Sequence, residues 1–444
     1  MTKADIKYSR IWQIAYPIIL GSIAQNLINF TDTAFLGRVG EIALGAGALG
    51  GIFYLAVIML GLGFSTGAQI IISRRNGEGR LKDIGPIIDQ SVYFLLPLAF
   101  IVFFLLRYWS IDILRYAVQS DAIFAETSIY MKYRAVGIFF AFGNMVFRAF
   151  YVGLQKTKVI TYTTVVLAIV NIVLDYILIF GQFGAPEMGV AGAAIASVIA
   201  EATALLYFIG YTFAKVKFAD YALFKFCRPN LKRLLAILKV AIPIMMQQFI
   251  SLSVWFVFFL FIEKIGEAAL AVSNIARSVY VILMIPVWGF ATATNTLVSY
   301  LIGLKQSDKV MPLINKIVVL CFVGVLLIAG IGVIFPDIIM SVYTNDAELM
   351  AMGKPVLKVV SVGALFLSIG FILFNAISGT GKTNISLIIE LIVLSVYLTY
   401  TYAIINVFNA NVTVAWTSEI VYGLLLSIFS YAYLRTGKWK QSEV

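Results

Sequence analysis

The chain has 444 residues, of which 61% are hydrophobic and 12% charged, whereas an ordinary soluble domain is close to half apolar and a quarter charged. A soluble fold of this length could not hide that much apolar surface. The net charge of +11 does not by itself imply a nucleic-acid partner, and the absence of any histidine counts against an enzyme. The basic residues gather in loops that flank apolar stretches, where they meet anionic lipid head groups. Without histidine the commonest catalytic base and metal ligand is missing, and no nucleophile with its base and no cofactor motif replaces it.

Apolar windows of about 20 residues, long enough to cross a hydrocarbon core of roughly 30 Å as helix, predict twelve spans in chain order. They lie near 11–36, 43–73, 87–107, 128–152, 159–181, 189–213, 238–262, 269–302, 313–336, 355–378, 384–408 and 413–434. Runs this continuous satisfy their backbone as helices rather than as the alternating strands of a barrel, so the predicted fold class is an all-α integral membrane protein. The first run is too long for the apolar core of a signal peptide and reads as a retained helix. Of the 33 Lys and Arg, 23 fall in the stretches 3–10, 74–82, 156–158, 215–239, 305–316, Lys382 and 435–440, against eight on the opposite side. This asymmetry predicts a multi-pass protein of the cell inner (plasma) membrane with both termini cytoplasmic. Cys227 and Cys321 suggest no disulfide framework.

Shifting the chain against itself by 226 residues aligns Pro17 with Pro243, Gly40-Glu41 with Gly266-Glu267, Gly63-Phe64 with Gly289-Phe290, and Gly137 with Gly363. It also sets Gly153-Leu154-Gln155-Lys156-Thr157 on Gly379-Thr380-Gly381-Lys382-Thr383. A single offset held over five spans implies a duplicated six-helix unit. The expected organisation is an N-terminal lobe 1–213, a cytoplasmic linker 214–237 and a C-terminal lobe 238–444. Six is even, so the copies run in the same membrane direction, as parallel repeats do in two-lobed transporters. The run 379–383 is not a phosphate loop, because Ala376 stands where that motif needs glycine.

A carboxylate at the bilayer centre costs about 3 kcal/mol or more, so embedded acids mark a function or a partner. On the first span Gln25, Asn29 and Asp32 share a face, and on the fifth Asn171 and Asp175 stand four apart. If the stripes meet, two carboxylates and amide oxygens make a pocket of hard ligands for H+ or Na+; otherwise these acids only fix helix packing. The second half has Phe258, Tyr397 and Thr401 at the places of Asp32, Asn171 and Asp175, so the expected cation chemistry is one-sided. Gln247, Gln248, Ser251, Trp255 and Asn274 offer polar and aromatic contacts for a substrate cavity. Arg148, Glu201, Arg277, Glu390 and Glu419 lie nearer span ends, where long side chains snorkel, and receive no role.

These residues resemble the multidrug and toxic compound extrusion (MATE) family of the multidrug, oligosaccharidyl-lipid and polysaccharide exporter superfamily. The resemblance rests on Pro17, on Asp32-Thr33-Ala34-Phe35-Leu36-Gly37, on Gly67-Ala68-Gln69 with Arg74-Arg75-Asn76-Gly77-Glu78-Gly79-Arg80, and on Phe147-Arg148-Ala149. Asn171 through Tyr176 and Gly189 through Ser197 extend it. It implies a V-shaped exporter of two six-helix bundles that alternates between inward and outward openings, with Pro17 as a conformational residue. It further implies a cation site of Asp32, Asn171, Asp175 and Ser197, which is a metal site for the first three if Na+ is the coupling ion. No cofactor is implied beyond that ion. The implied partners are small, often cationic drugs or toxic metabolites and membrane lipid, with the protein a monomer. A lipid-linked oligosaccharide or lipid flippase of the same superfamily is the alternative.

Overall fold

The computed structural model describes residues 7–118 and 120–441; the opening of the basic stretch 3–10 lies outside them. Among the described residues the regular elements are helices and there are no strands. The first half holds α1 (Tyr8–Val39), α2 (Glu41–Gly77), α3 (Ile84–Phe104), α4 (Asp121–Arg134), α5 (Gly137–Gly153), α6 (Lys158–Phe180) and α7 (Gly189–Lys215). The second holds α8 (Leu231–Glu263), α9 (Glu267–Gly303), α10 (Val310–Ile334), α11 (Ala347–Gly379), α12 (Thr383–Tyr402) and α13 (Ser418–Arg435). Among the described residues eleven helical stretches are long and apolar enough to cross a membrane, and the count reaches twelve with α4 and α5 taken as one span. Each predicted span therefore has its counterpart.

The repeat is written in the backbone as well as in the residues. Gly40 and Gly266 open α2 and α9 with φ of 144° and 141°, a conformation open to glycine alone. Behind each glycine, Glu41 or Glu267 sits in the first helical turn, where a carboxylate complements the helix dipole. The turns after α2 and α9 pass through left-handed residues 226 apart, Gly79 at φ 72° and Lys305 at φ 59°. Gln155 at 61° and Gly381 at 84° form a second such pair.

One expectation needs correction. The fourth span, predicted as a single helix over 128–152, is the pair α4 and α5 with a 50° bend between them. Hydrogen bonds from Val136 N to Tyr133 O and from Ile138 N to Ala135 O, each 3.3 Å, keep the backbone paired through the bend. No proline falls there; the bend surrounds Arg134, whose charge is held inside the bundle as described below. Moved on by 226, the limits of the bent pair fall on Ala347 and Gly379, the limits of the unbroken α11.

The chain forms two compact units. One is Leu20–Met245; the other joins the start of the chain, through Ile19, to the stretch from Met246 on. Both limits fall within helices, two residues beyond Pro17 and Pro243, rather than at the ends of the linker 214–237. Within the first unit the opening part of α8 packs on α2 so closely that a Cβ on Gly67 would lie 2.6 Å from Ala241 Cα, and one on Gly63 2.6 Å from Met245 Cα. Within the second, Gly289 of α9 meets Ile19. Small residues that let backbones approach are the usual cement between helices in lipid, where apolar contact alone gives no preference.

Candidate functional site

In the unit Leu20–Met245, α1 carries Asp32, α6 carries Asn171 and Asp175, and α7 carries Ser197. Asn171 and Asp175 are 1% and 0% exposed, one turn apart on the inner face of α6. The Asp32 and Asp175 carboxyl groups adjoin each other. Asn171 Nδ2 donates to Ser197 Oγ at 3.4 Å. Four buried oxygens then have no hydrogen-bond donor: Asp32 Oδ1, Asn171 Oδ1 and both oxygens of Asp175. Buried acceptors are normally paired, so bare oxygens on two adjoining carboxyl groups can take a proton or a hard cation. Gln25 and Asn29, on the same helix as Asp32, are exposed.

Beside this set stands an ion pair not anticipated from sequence. Arg134, at the bend, grips Glu201 of α7 with Nη2 to Oε1 at 2.6 Å and Nη1 to Oε2 at 2.8 Å. Its guanidinium lies 3.6 Å from the ring centroid of Tyr54, and the Tyr54 hydroxyl donates to Glu201 Oε2 at 3.1 Å. Asn144 Nδ2 fixes the same turn of α7 by donating to Glu201 O at 2.9 Å. The Arg134 charge also acts on Asp32 and Asp175. In the charge tally Arg134 counted with the outer-side residues and Glu201 received no role; the structure pairs them, Arg134 buried and Glu201 half-buried. The signal available was a basic residue within a predicted span, with an acid in the sixth.

The five residues expected to line a cavity in the second half all lie in the other unit. Ser251 Oγ donates to Glu390 Oε1 at 2.7 Å, and Trp255 lies against Tyr280, with centroids 5.7 Å apart, beside Glu419. Gln247 and Gln248 are half-buried, and Asn274 is exposed and donates to Leu270 O of its own helix at 3.0 Å. Pro17 sits inside an unbroken α1. Glu390 and Glu419, expected to snorkel near span ends, are 1% and 2% exposed. Arg277 stacks over Phe259 at 5.6 Å.

Among known proteins, the chain is similar over 438 residues, at 26% identity and covering 97% of this chain and 93% of the relative, to a probable multidrug resistance protein NorM of Thermotoga maritima. A protein of the same description from Bacillus cereus is 26% identical over 394 residues, 88% of this chain and 87% of its own length. Among solved structures, a MATE in the straight conformation superposes with a TM-score of 0.89 at 20% identity, covering 98% of this chain and 97% of the other. A superfamily transporter from Pyrococcus furiosus, described as having a binding pocket of reverse polarity, gives 0.86 at 19% identity and the same coverage. The MatE family model matches twice, over 17–177 and 243–403, two segments of equal length displaced by the 226 residues of the internal repeat. Two matches that together span most of the chain establish that this protein belongs to the MatE family.

Proposed function

We propose that the protein is a secondary active multidrug exporter, moving small and often cationic amphipathic compounds out of the cell in exchange for H+ or Na+ by alternating access. The relatives named as multidrug resistance proteins support the export reading. The ion coupling rests on one observation about charge. Around the carboxyl pair in the unit Leu20–Met245, Asp32, Asp175 and Glu201 stand near one arginine, Arg134, and that arginine is committed in bidentate fashion to Glu201. The Asp32–Asp175 pair is left with unpaired oxygens and no counterion of its own. Adjoining carboxylates in a low-dielectric interior do not both stay charged without a cation, so the pair exchanges a charged, repelling arrangement for a neutralised one. Those are the two states that a gradient biases.

The lobes 1–213 and 238–444 are the bodies that alternate in this reading, in a cell membrane with both termini cytoplasmic. Asp32, Asn171, Asp175 and Ser197 take the coupling ion, Gln25, Asn29, Gln247, Gln248, Ser251, Trp255 and Asn274 line the substrate path, and Pro17 eases the conformational change. The test is uptake of a fluorescent lipophilic cation into proteoliposomes, driven separately by a proton gradient and by a sodium gradient. One of the two should drive accumulation in wild-type protein and fail in Asp32→Asn; accumulation independent of both would sink the exchange reading.

A further inference from the structure

The second half was expected to lack cation chemistry, since Phe258 and Thr401 replace the two aspartates. It nevertheless buries two carboxyl groups of its own. Glu390 of α12 accepts from Ser251 Oγ of α8 and from Tyr422 Oη of α13, each at 2.7 Å. Glu419 of α13 accepts from Tyr397 Oη of α12 at 3.0 Å, with Tyr280 of α9 and Trp255 of α8 beside it. From α11 the neighbour is Gly363, where a Cβ would lie 3.3 Å from Glu419 Cβ. Hydroxyls, an indole and a glycine of α8, α9, α11, α12 and α13 thus face these acids. No described salt bridge reaches either one, and Arg277 of α9 spends its charge on Phe259.

The repeat explains how this arose. In the first half a glycine of the fourth span (Gly137) and a tyrosine of the second (Tyr54) enclose an acid of the sixth (Glu201), and Arg134 neutralises it. In the second half the matching glycine (Gly363) and tyrosine (Tyr280) enclose Glu419, supplied from two turns earlier on the sixth span. The place of Arg134 is taken by Val360. The second half thus has a nest for an acid with no arginine in it.

From this geometry we infer that Glu390 and Glu419 form a proton-binding site in the second half, each holding a proton where the first half holds a guanidinium. A metal ion fits poorly. A hard cation gathers about six oxygens, yet both hydroxyls at Glu390 end on Oε1 and leave Oε2 as a single bare buried atom. One bare oxygen suffices for a proton. A buried ionised carboxylate without a counter-charge is the least tolerable alternative. Glutamine reproduces the shape of a neutral glutamic acid, so the inference does not depend on the coupling role given to Asp32 and Asp175.

The experiment is infrared difference spectroscopy on full-length Asp32→Asn/Asp175→Asn protein in lipid nanodiscs, comparing neutral with strongly alkaline pH. The carbonyl stretch of a protonated carboxyl group should persist at neutral pH. Glu390→Gln should delete one component of it and Glu419→Gln another, with thermal stability unchanged in both. Where a glutamine variant fails to fold, Ser251→Ala and Tyr397→Phe report instead, each shifting one component by removing a hydroxyl donor. A neutral-pH spectrum without a protonated carboxyl band, or a band indifferent to these substitutions, would overturn the assignment.

Discussion

The bend between α4 and α5 makes Gly137 the position where one methyl group should do the most damage. A Cβ there would stand 2.5 Å from Glu201 Oε2 and 3.0 Å from the Tyr54 hydroxyl, and would also meet Arg134 Nη1. These are tips of side chains, but they cannot yield separately: guanidinium, carboxylate and phenol are bonded to one another, and the ring of Tyr54 backs the guanidinium. Overpacking of this kind costs about 1–3 kcal/mol, and pulling apart a buried ion pair costs about 3–5 kcal/mol when complete. Against these, replacing glycine by alanine in a helix returns about 1 kcal/mol. A partial opening of the pair leaves a net loss of about 2–4 kcal/mol for Gly137→Ala. At roughly 2–4 °C per kcal/mol for a unit of this size, the melting temperature of purified protein, followed by fluorescence-detected size-exclusion after heating, should fall by about 5–15 °C. The same substitution in an Arg134→Met/Glu201→Met background, where no ion pair remains to be opened, should cost far less. An unchanged melting temperature, or an equal loss in both backgrounds, would refute the idea that the pair holds this bend.

Further outcomes follow from other positions. Asp32→Asn and Asp175→Asn should each insert and fold normally, still bind substrate by fluorescence quenching, and lose gradient-driven export; export at the wild-type rate would remove the coupling role. Gly79→Ala should destabilise by about 1–2 kcal/mol, because alanine must then hold a left-handed conformation. Lys305→Gly at the matching turn should be neutral to slightly stabilising, as relief of strain offsets the added freedom of the unfolded chain; equal effects of the two in thermal melts would show that the turns are not equivalent. A cysteine in place of Ser442, outside the described residues, should resist an impermeant maleimide added to intact cells, and efficient labelling would reverse the topology.

The spans were legible because hydropathy along the chain measures depth in the bilayer, and the repeat was legible because glycines at turns and close approaches keep their places. Radial position was not legible. Glu390 and Glu419 stand nearer span ends in sequence, and whether such a residue snorkels to the interface or turns inward depends on the partner it finds on a neighbouring helix. Ser251 and Tyr422 are those partners for Glu390, at separations that local pattern does not encode. The Arg134–Glu201 pair was hidden for the same reason, being 67 residues apart. Asp32, Asn171 and Asp175 stood out because each falls in a polar stripe on one face of its span, and because the family pattern names them. The bend after Arg134 had no proline to announce it.

The 33-residue stretch that is bent in one half and unbroken as α11 in the other also constrains the history of the chain. After a duplication, a buried ion pair must be lost one partner at a time. Losing the acid first strands a guanidinium, which keeps its charge at any pH a cell meets. Losing the arginine first leaves a carboxyl group, and water can always supply the proton that quiets it. The path through the arginine is therefore the passable one: in the second half Val360 stands at the place of the arginine and Ser427 at that of Glu201, with the buried carboxyl supplied by Glu419, while a half that still holds both charges stays locked to its glycine.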